Sequence, residues 1–282
     1  MAMNTDFPAV ATCDLCPHHC RLSEGQTGAC KARRCIDGTI ACINYGKLTS
    51  IALDPIEKKP LNRFHPGSLI LSVGSFGCNL HCPFCQNSEI SQSDRAPVWH
   101  VRPQALVRKA SQLVAEGNIG IAYTYNEPLI SYEYVLDCAK LAKEKGLVNV
   151  LVTNGMICPE PLAKLLPYID AMNVDLKGFT TRFYRMVQGD LETVKNTIAQ
   201  SVAAHCHVEV TTLIVPREND TTEEITAIAQ WLASLSPDIP LHISRFFPSY
   251  KMTDRAATPV RTILAHVETA KQYLHYVYGG NI

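Results

Sequence analysis

The chain has 282 residues, 46% of them hydrophobic, and its 26 Lys and Arg residues balance 26 Asp and Glu residues. A chain without net charge lacks the positive excess that broad nucleic-acid binding or adhesion to an anionic membrane requires, so we expect neither partner. No apolar run approaches the roughly 18–20 residues that span a bilayer, and residues 1–10 carry no secretory pattern, which together predict a cytoplasmic protein.

The first part of the chain is rich in cysteine, because six of the twelve cysteines lie in residues 13–42. Reduced cytosolic thiols more often bind metals or lie buried than form disulfides. Four of them have a spacing that suits either a zinc site or a second iron–sulfur cluster, namely Cys13, Cys16, Cys20 and Cys30. Turns dominate the rest of this segment, and Asp37-Gly38 predicts a hairpin. We therefore predict a small Cys-rich metal-binding region over residues 1–66 that depends on a metal or on its neighbour for order.

From residue 67 onward, short apolar or β-branched runs alternate with longer amphipathic stretches, which is typical of strand–helix units around a parallel sheet. The predicted strands are 69–74, 119–124, 147–152, 170–174, 207–214 and 240–244. The predicted helices are 103–116, 129–145, 159–167, 190–204, 221–234 and 259–273. These six units indicate an α/β fold in which residues 67–282 form a partial (β/α)6 TIM-like barrel, with a doubly wound open sheet as the competing topology.

A second cysteine group directly follows the first predicted strand and consists of Cys78, Cys82 and Cys85. Three thiolates within eight residues can wrap a compact soft-metal centre. Three ligands to a four-iron cluster would leave one iron open to an exogenous ligand, whereas a ferredoxin cluster has four cysteines. A zinc site that borrows a distant fourth ligand, or simply three buried thiols, are the alternatives.

Polar segments also follow the next predicted strands, at Asn126-Glu127-Pro128, at Thr153-Asn154 and at Asp175 and Lys177. Two further polar segments follow the last two predicted strands, at residues 216–220 and 245–250. Because the carboxyl ends of all strands in a parallel barrel share one mouth, we expect these side chains to meet in one pocket. Each segment also has a structural explanation. A helix cap would account for the first, a turn for the second and a solvated ion pair for the third.

The CxxxCxxC motif of Cys78, Cys82 and Cys85, with Phe84 before the last cysteine, resembles the signature of the radical S-adenosylmethionine (radical SAM) superfamily. The string GCNLHCPFCQNSEIS at residues 77–91 is similar to the branch related to pyruvate formate-lyase-activating enzyme. Within that branch the chain most resembles the AmmeMemoRadiSam-system radical SAM enzymes. That resemblance is carried by CxLCPHxC at residues 13–20, GxC at 28–30 and DPIEKKPL at 54–61, and it extends from about residue 13 to the end.

The resemblance implies that Cys78, Cys82 and Cys85 ligate a [4Fe–4S] cluster whose open iron binds S-adenosylmethionine. The residues implied to contact this cofactor are Phe84, Asn126, Glu127, Thr153, Asn154, Asp175 and Lys177. Asn126 and Glu127 stand where relatives carry a GGEP motif, whose two glycines are absent here. Asp175 and Lys177 match the DxK motif of the activating-enzyme branch, which faces the methionyl part of the cofactor.

The implied function is that of an oxidoreductase that cleaves S-adenosylmethionine reductively and uses the 5′-deoxyadenosyl radical to abstract hydrogen from an unidentified substrate. One alternative is an activating enzyme for a glycyl-radical partner protein. The alternative of another class is a zinc-stabilised binding module, for which Lys31, Arg33 and Arg34 supply a small basic cluster. Expected partners are an electron donor such as flavodoxin or ferredoxin and a substrate that is a protein or a small molecule. Two interpretations stay open for Arg217, Arg245 and Tyr250, which either contact the substrate or are ordinary surface residues.

Overall fold

The computed structural model describes residues 10–282. The first nine residues, most of the segment in which we expect no secretory pattern, lie outside the described residues. Within residues 10–282, none of the helices has both the length and the apolar character needed to cross a membrane.

The elements are numbered here in chain order. The strands are β1 (Val10–Thr12), β2 (Arg21–Ser23), β3 (Arg33–Ile36), β4 (Thr39–Cys42), β5 (Lys47–Leu48), β6 (Ser50–Pro55), β7 (Leu69–Gly74), β8 (Trp99–His100), β9 (Asn118–Tyr123), β10 (Val148–Thr153), β11 (Ala171–Asp175), β12 (His207–Ile214), β13 (Leu241–Arg245) and β14 (Val277–Gly280). The α-helices are α1 (Ser88–Ser91), α2 (Pro103–Gln112), α3 (Tyr132–Glu144), α4 (Pro159–Leu165), α5 (Thr181–Met186), α6 (Leu191–Ala203), α7 (Thr222–Leu235) and α8 (Val260–Ala270).

The main sheet has eight strands in the order β6-β7-β9-β10-β11-β12-β13-β14. Only β6 runs antiparallel to its neighbour, and all other adjacent pairs are parallel. Each parallel strand lies beside the one that precedes it in this sheet, so the chain winds in one direction without the reversal of a doubly wound sheet. The two edge strands of the sheet, β6 and β14, are not neighbours in this order. The predicted partial barrel is therefore confirmed, and the doubly wound alternative is wrong.

All six predicted strands and all six predicted helices are present, with bounds that differ by a few residues. Two strands of the main sheet were not predicted, β6 and β14. The short strands β1, β2, β5 and β8 and the short helices α1 and α5 were not predicted either. β14 has the sequence VYGG, and two glycines conceal a strand because glycine has low β propensity. β6 lies within residues 1–66, so the main sheet begins before residue 67; the division of the chain at that residue stays a prediction.

Side-chain caps define where several helices begin. The Asp190 carboxylate accepts a hydrogen bond from the backbone N–H of Thr193 at the start of α6. The Thr221 hydroxyl accepts from the N–H of Glu224 at the start of α7 in the same way. Each cap satisfies a backbone donor that has no partner inside its helix, which positions the loops that lead into these helices.

One end of the barrel is closed by the chain between β6 and β7. Apolar side chains fill the interior there, namely Ile56, Leu61, Ile70, Ala122, Val150 and Ala171. The backbone N–H groups of Asn62 and Arg63 donate to the fully buried Glu209 near the start of β12, at 3.0 and 2.8 Å. Asn173 of β11 donates to the carbonyl of Pro60. Because these contacts seal the amino ends of the strands, the interior opens toward the carboxyl ends.

The Cys-rich segment packs beside that open end. The predicted hairpin is confirmed, since β3 and β4 pair across Asp37 and Gly38, whose φ angles of 51° and 69° suit a tight type I′ turn. Arg33 is buried and forms two hydrogen bonds with Glu133 of α3. The backbone N–H of Cys158 donates to the carbonyl of Leu15 at 2.9 Å. These contacts attach the segment to the helices and loops of the barrel.

Candidate functional site

A cavity of about 350 Å³ lies at the carboxyl ends of the strands. The predicted cluster and cofactor residues all line it, namely Cys78, Cys82, Phe84, Cys85, Asn126, Glu127, Thr153, Asn154, Asp175 and Lys177. They come from the carboxyl ends of β10 and β11 and from the loops that follow β7, β9, β10 and β11. The expectation that chain-distant segments share one pocket is confirmed for the segments after β7, β9, β10 and β11. It is wrong for residues 216–220 and 245–250, which are not among the residues that line the cavity.

The loop that carries the three cysteines is held by backbone contacts on several sides. The N–H of His81 donates to the carbonyl of Val187, and the N–H of Lys251 donates to the carbonyl of Pro83, both at 2.9 Å. Within the loop, the N–H of Leu80 points to the Cys78 sulfur at 3.3 Å. Burial raises the pKa of the Cys82 thiol to about 12, although the Lys177 ammonium acts in the opposite direction. The thiols thus lie in a shielded site beside a compensating positive charge.

Glu127 is the most deeply enclosed carboxylate of the cavity, at 3% exposure. Its Oε1 accepts hydrogen bonds from the N–H of Leu129 at 2.9 Å and the hydroxyl of Thr153 at 2.7 Å, and its Oε2 accepts from the N–H of Asn154 at 2.7 Å. Burial raises the pKa of Glu127 to about 7, although these three hydrogen bonds act in the opposite direction. Glu127 therefore ties the loop after β9 to the end of β10, and it also caps the turn that leads into α3.

The two asparagines of the cavity have side chains that are engaged with the chain itself. Asn126 accepts from the N–H of Ser75 and donates to the carbonyl of Gly77, which ties its loop to the start of the cysteine loop. Asn154 donates to Asn79 at 2.9 Å and lies 3.6 Å from the Cys78 sulfur. Both side chains hold the cysteine loop in place, which is a positioning function that the sequence did not suggest.

Asp175 and Lys177 form an ion pair inside the cavity, with a distance of 2.7 Å between Lys177 Nζ and Asp175 Oδ2. Their side chains are 31% and 18% exposed, so the pair is not the solvated surface pair of the alternative explanation. Burial would lower the pKa of Lys177, but the Asp175 carboxylate and the Cys82 thiol raise it above its usual value. The pair offers one acceptor and one donor to a zwitterionic ligand.

The residues around the three thiols suit a [4Fe–4S] cluster with S-adenosylmethionine. Thiolates are the ligands that such clusters use. All three thiols face one cavity, and Asp175 and Lys177, which could pair with an amino acid zwitterion, face the same cavity. Phe84 is buried between the aromatic rings of Phe183 and Phe246, which gives the loop an apolar anchor.

Some cavity residues were missed, and some candidates lie elsewhere. Lys58 and Lys59 line the cavity, and the signal that could have found them is the cluster of charged residues in the DPIEKKPL segment. Tyr125 also lines it, and its position directly before Asn126 in the loop after β9 is the corresponding signal. The lining does not include Arg217, Arg245 or Tyr250, for which a substrate contact and an ordinary surface position were both left open. Arg245 instead stacks on Phe247.

The four N-terminal cysteines converge on a second, much smaller cavity of about 10 Å³. Cys13, Cys16, Cys20 and Cys30 line it together with His18, whose ring lies 2.7 Å from the carbonyl oxygen of Asn79. Burial raises the pKa of Cys16 to about 12. For the part of the chain that the structure describes, no group of three or more His, Cys, Asp or Glu side chains is arranged as a ready site for a single metal ion.

The basic cluster of the binding-module hypothesis is engaged with the chain. Arg33 is paired with Glu133, Lys31 donates to the carbonyl of Gln92, and Arg34 donates to the hydroxyl of Thr27. These contacts use the cationic groups within the molecule, so they do not form a free basic surface.

Comparison with known proteins agrees with this geometry. The profile described as radical SAM superfamily matches residues 72–232. An uncharacterised protein of Methanocaldococcus jannaschii is 41% identical over 274 residues, which cover 96% of this chain and 81% of that protein. A putative glycyl-radical enzyme activating enzyme of the same organism is 28% identical over 163 residues, covering 55% of this chain and 65% of that protein.

A solved structure has the same fold at low identity. Streptococcus suis SuiB bound to S-adenosylmethionine superposes with a TM-score of 0.56 at 12% identity, covering 75% of this chain and 51% of SuiB. The profile match covers more than half of the chain and includes the three-cysteine loop. It favours an enzyme over the zinc-stabilised binding module. The chain belongs to the radical SAM superfamily, whose members are oxidoreductase-type enzymes that use a [4Fe–4S] cluster and S-adenosylmethionine.

Proposed function

We propose that this chain abstracts hydrogen from an unidentified substrate, with Cys78, Cys82 and Cys85 as the thiolates that hold the [4Fe–4S] cluster. The observation that carries this proposal is that all three thiols line the same cavity as Glu127 and the Asp175–Lys177 pair. Bound together, the cluster and S-adenosylmethionine would supply the reductive cleavage and the hydrogen-abstracting radical.

The chain's own residues would bind and orient the cofactor. Lys177 can donate to the carboxylate of its methionyl end, and Asp175 can accept from its amino group. Glu127 is engaged by three donors, so we assign it to shaping the loop after β9 as well as to the edge of the cofactor site. Asn126 and Asn154 hold the cysteine loop, and Thr153 positions Glu127. Phe84 anchors that loop in the apolar core.

Water would be excluded by the closed amino end of the barrel. The segment at residues 56–64 seals that end, and the cavity is bounded by loops at the other. Shielding from water matters because a reactive radical would otherwise be lost to side reactions. We expect an electron donor such as flavodoxin or ferredoxin to approach from the open end.

The test is to reconstitute the protein anaerobically with iron and sulfide, reduce it, add S-adenosylmethionine and measure 5′-deoxyadenosine. We expect formation by the wild type and none by Cys82→Ala. Cys206→Ala is the matched control, since Cys206 is buried and does not line the cavity. Full product formation by Cys82→Ala would contradict the assignment.

A second candidate is activation of a glycyl-radical partner protein. It is favoured by the 28% identity to the putative activating enzyme of M. jannaschii. Incubation of the loaded enzyme with a glycyl-radical enzyme from the organism that encodes this chain should then produce a radical that stays on the partner. Electron paramagnetic resonance would detect this radical after the two proteins are separated. A partner without signal, alongside normal 5′-deoxyadenosine formation, would leave the first candidate.

A further inference from the structure

One side of the cavity is formed by residues that the proposed cofactor site does not use. Lys59 lines the cavity although the residue is only 2% exposed. It lies just before Pro60 and Asn62, which contact β11 and β12 at the closed end of the barrel. The proposed cofactor residues lie at the opposite, carboxyl ends of the strands or in the loops that follow them. Lys59 therefore reaches the cavity from a separate direction.

The Lys59 side chain is held by two neighbours. Its Nζ donates to Oδ2 of Asp54 at 2.9 Å and lies 4.6 Å from the centre of the Tyr125 ring. The Tyr125 hydroxyl donates to the same Oδ2 at 2.6 Å. An ammonium has three N–H donors, and within residues 10–282 Asp54 is the only hydrogen-bond acceptor of this one. Donors thus remain for a ligand in the cavity.

The charge of this corner is positive. Lys58 also lines the cavity, and its Nζ lies 3.3 Å from Oδ1 of Asp54. Two ammonium groups therefore share one carboxylate in this corner. The two carboxylates that line the cavity are engaged elsewhere, Asp175 by Lys177 and Glu127 by Leu129, Thr153 and Asn154. One excess positive charge matches one carboxylate, whereas a phosphate monoester carries about −1.5 to −2.

The backbone of Tyr125 is strained in a way that directs its ring to this corner. Its φ angle is 69°, in the left-handed region that tyrosine rarely adopts. A Cβ atom on Gly74 would lie only 2.9 Å from the Cβ of Tyr125, so the two backbones are in close approach. Such strain persists where surrounding contacts impose it, and it is concentrated at functional sites.

We propose that Lys59, with Lys58 beside it, anchors the carboxylate of the substrate, and that Asp54 and Tyr125 position Lys59. The chemical class of ligand is a small carboxylate-bearing molecule, because the cavity of about 350 Å³ must also hold the cofactor. This inference rests on the proposed function, since it identifies the substrate chemistry of the same cavity.

The test is a 19F NMR titration of the full-length, reconstituted protein with trifluoroacetate in the presence of S-adenosylmethionine. Trifluoroacetamide, a neutral molecule of similar size, serves as the control ligand. We expect trifluoroacetate to bind the wild type and Lys59→Gln to weaken that binding by about 10-fold or more, as for a lost charge-assisted contact. Asp54→Asn should strengthen it, because the ammonium loses its competing carboxylate.

The two variants are expected to change trifluoroacetate binding in opposite directions, and this distinguishes a ligand site from a purely structural ion pair. If Lys59 and Asp54 only held the segment in place, Lys59→Gln would not weaken trifluoroacetate binding and Asp54→Asn would not strengthen it. Lys271→Gln, at the residue that directly follows α8 and whose side chain is 49% exposed, is the matched control variant. If Lys59→Gln fails to fold, the double variant Asp54→Asn with Lys59→Gln replaces it. Competition then distinguishes two carboxylate ligands. Stronger displacement of trifluoroacetate by N-acetylglycine indicates a compact carboxylate, and stronger displacement by N-acetyltriglycine indicates the carboxylate at the end of a peptide.

Absence of trifluoroacetate binding to the wild type, equal binding by Lys59→Gln, or tighter binding of trifluoroacetamide would overturn the inference. S-adenosylmethionine affinity, measured in parallel, should be unchanged in Lys59→Gln. A loss there would instead make Lys59 a cofactor residue and overturn the inference as well. Failure to form 5′-deoxyadenosine with intact probe binding would refute the proposed function alone.

Discussion

Glu127, Asn126 and Asn154 are each satisfied by hydrogen bonds from or to their own chain. Asp175 and Lys177 differ from these three residues. Within residues 10–282, the side chain of each is hydrogen-bonded only to the side chain of the other. A pair of this kind can exchange its internal contact for contacts with a zwitterion at little cost. We therefore expect this pair, rather than the asparagines, to make the polar contacts with the methionyl group of the cofactor.

Asp175→Asn and Lys177→Met should leave the iron content unchanged and weaken S-adenosylmethionine affinity. A lost charge-assisted hydrogen bond costs about 1.5–3 kcal/mol, or roughly 10-fold to 150-fold in binding. A titration with S-adenosylmethionine, followed by the change in the visible spectrum of the cluster, measures this. Lys164→Met on the exposed face of α4 is the control. Unchanged affinity in both variants would mean that the pair serves only the fold.

Gly77 lies where the cysteine loop touches the N-terminal segment. Its φ angle is 88°, and a Cβ atom there would lie 2.3 Å from the carbonyl oxygen of Cys30. Gly77→Ala should therefore cost about 2–3 kcal/mol of stability, from strain and from displaced backbone. Gly67→Ala isolates the strain, because it has a φ of 81° and nothing within 4 Å of the added Cβ atom. Chemical denaturation should show a clearly larger loss for Gly77→Ala, and equal losses would refute the contact argument.

At the scale of elements, the chain between β6 and β7 is fastened to the barrel by one carboxylate. Glu209 accepts from the N–H groups of Asn62 and Arg63 and contacts the rings of His207 and His242, at 3.0 and 2.6 Å. Burial would raise the pKa of Glu209, but these hydrogen bonds lower it from 4.5 to about 2. The charged carboxylate is thus part of the closure at the amino ends of the strands.

The stability that Glu209 contributes should depend on pH with a defined sign. Because the pKa of Glu209 is lower in the folded state, its contribution to stability is fully present above pH 4.5. The contribution decreases as the pH is lowered below 4.5 and is lost near pH 2. Its size is at most about 3 kcal/mol. Guanidinium denaturation of wild type and Glu209→Gln should show a difference at pH 7 that shrinks at pH 3. Comparing the unfolding free energies of the two proteins cancels the titrations that both share. A difference in unfolding free energy that stays constant or grows at pH 3 would contradict this prediction.

The elements that the sequence predicts are those with strong periodicity and clear ends. The strand at residues 207–214 is a β-branched run, and α3 begins after Pro128, so both are visible locally. β6 was missed because its sequence SIALDP carries a charge and a proline, and it is a strand only because β7 lies beside it. Lys59 was missed for a similar reason. Burial of an ammonium depends on Asp54 and Tyr125, and Tyr125 is distant in the chain.

At the scale of the whole molecule, the Cys-rich segment is attached to the barrel at several points beside the cysteine loop. His18 contacts the carbonyl of Asn79 within that loop, and Cys30 touches Gly77 at its start. The ion pair between buried Arg33 and partly exposed Glu133 joins the segment to α3. Disorder in this segment would therefore reach the site that we propose for the cluster.

We expect a metal at Cys13, Cys16, Cys20 and Cys30 to order this segment. Short strands and turns bury little apolar surface, so cross-linking by a metal would supply stability that packing does not. Cys16→Ser should lower the folding yield and remove one metal centre, zinc or iron–sulfur, while the folded fraction still cleaves S-adenosylmethionine. The measurements are elemental analysis and thermal unfolding. Cys42→Ser is the matched control, because Cys42 belongs to the same segment and does not line the small cavity.

These measurements distinguish two reasons why residues 10–48 could be ordered, which are metal binding and contacts with the rest of the chain. If Cys16→Ser loses stability and metal while Cys42→Ser keeps both, the metal orders the segment. If an intact, well-folded wild type contains only the metal of the Cys78, Cys82 and Cys85 site, the prediction is wrong, and contacts such as Arg33 with Glu133 hold the segment alone. In that case Glu133→Gln should lower the stability more than Cys16→Ser does, since it leaves the buried Arg33 guanidinium without its compensating charge.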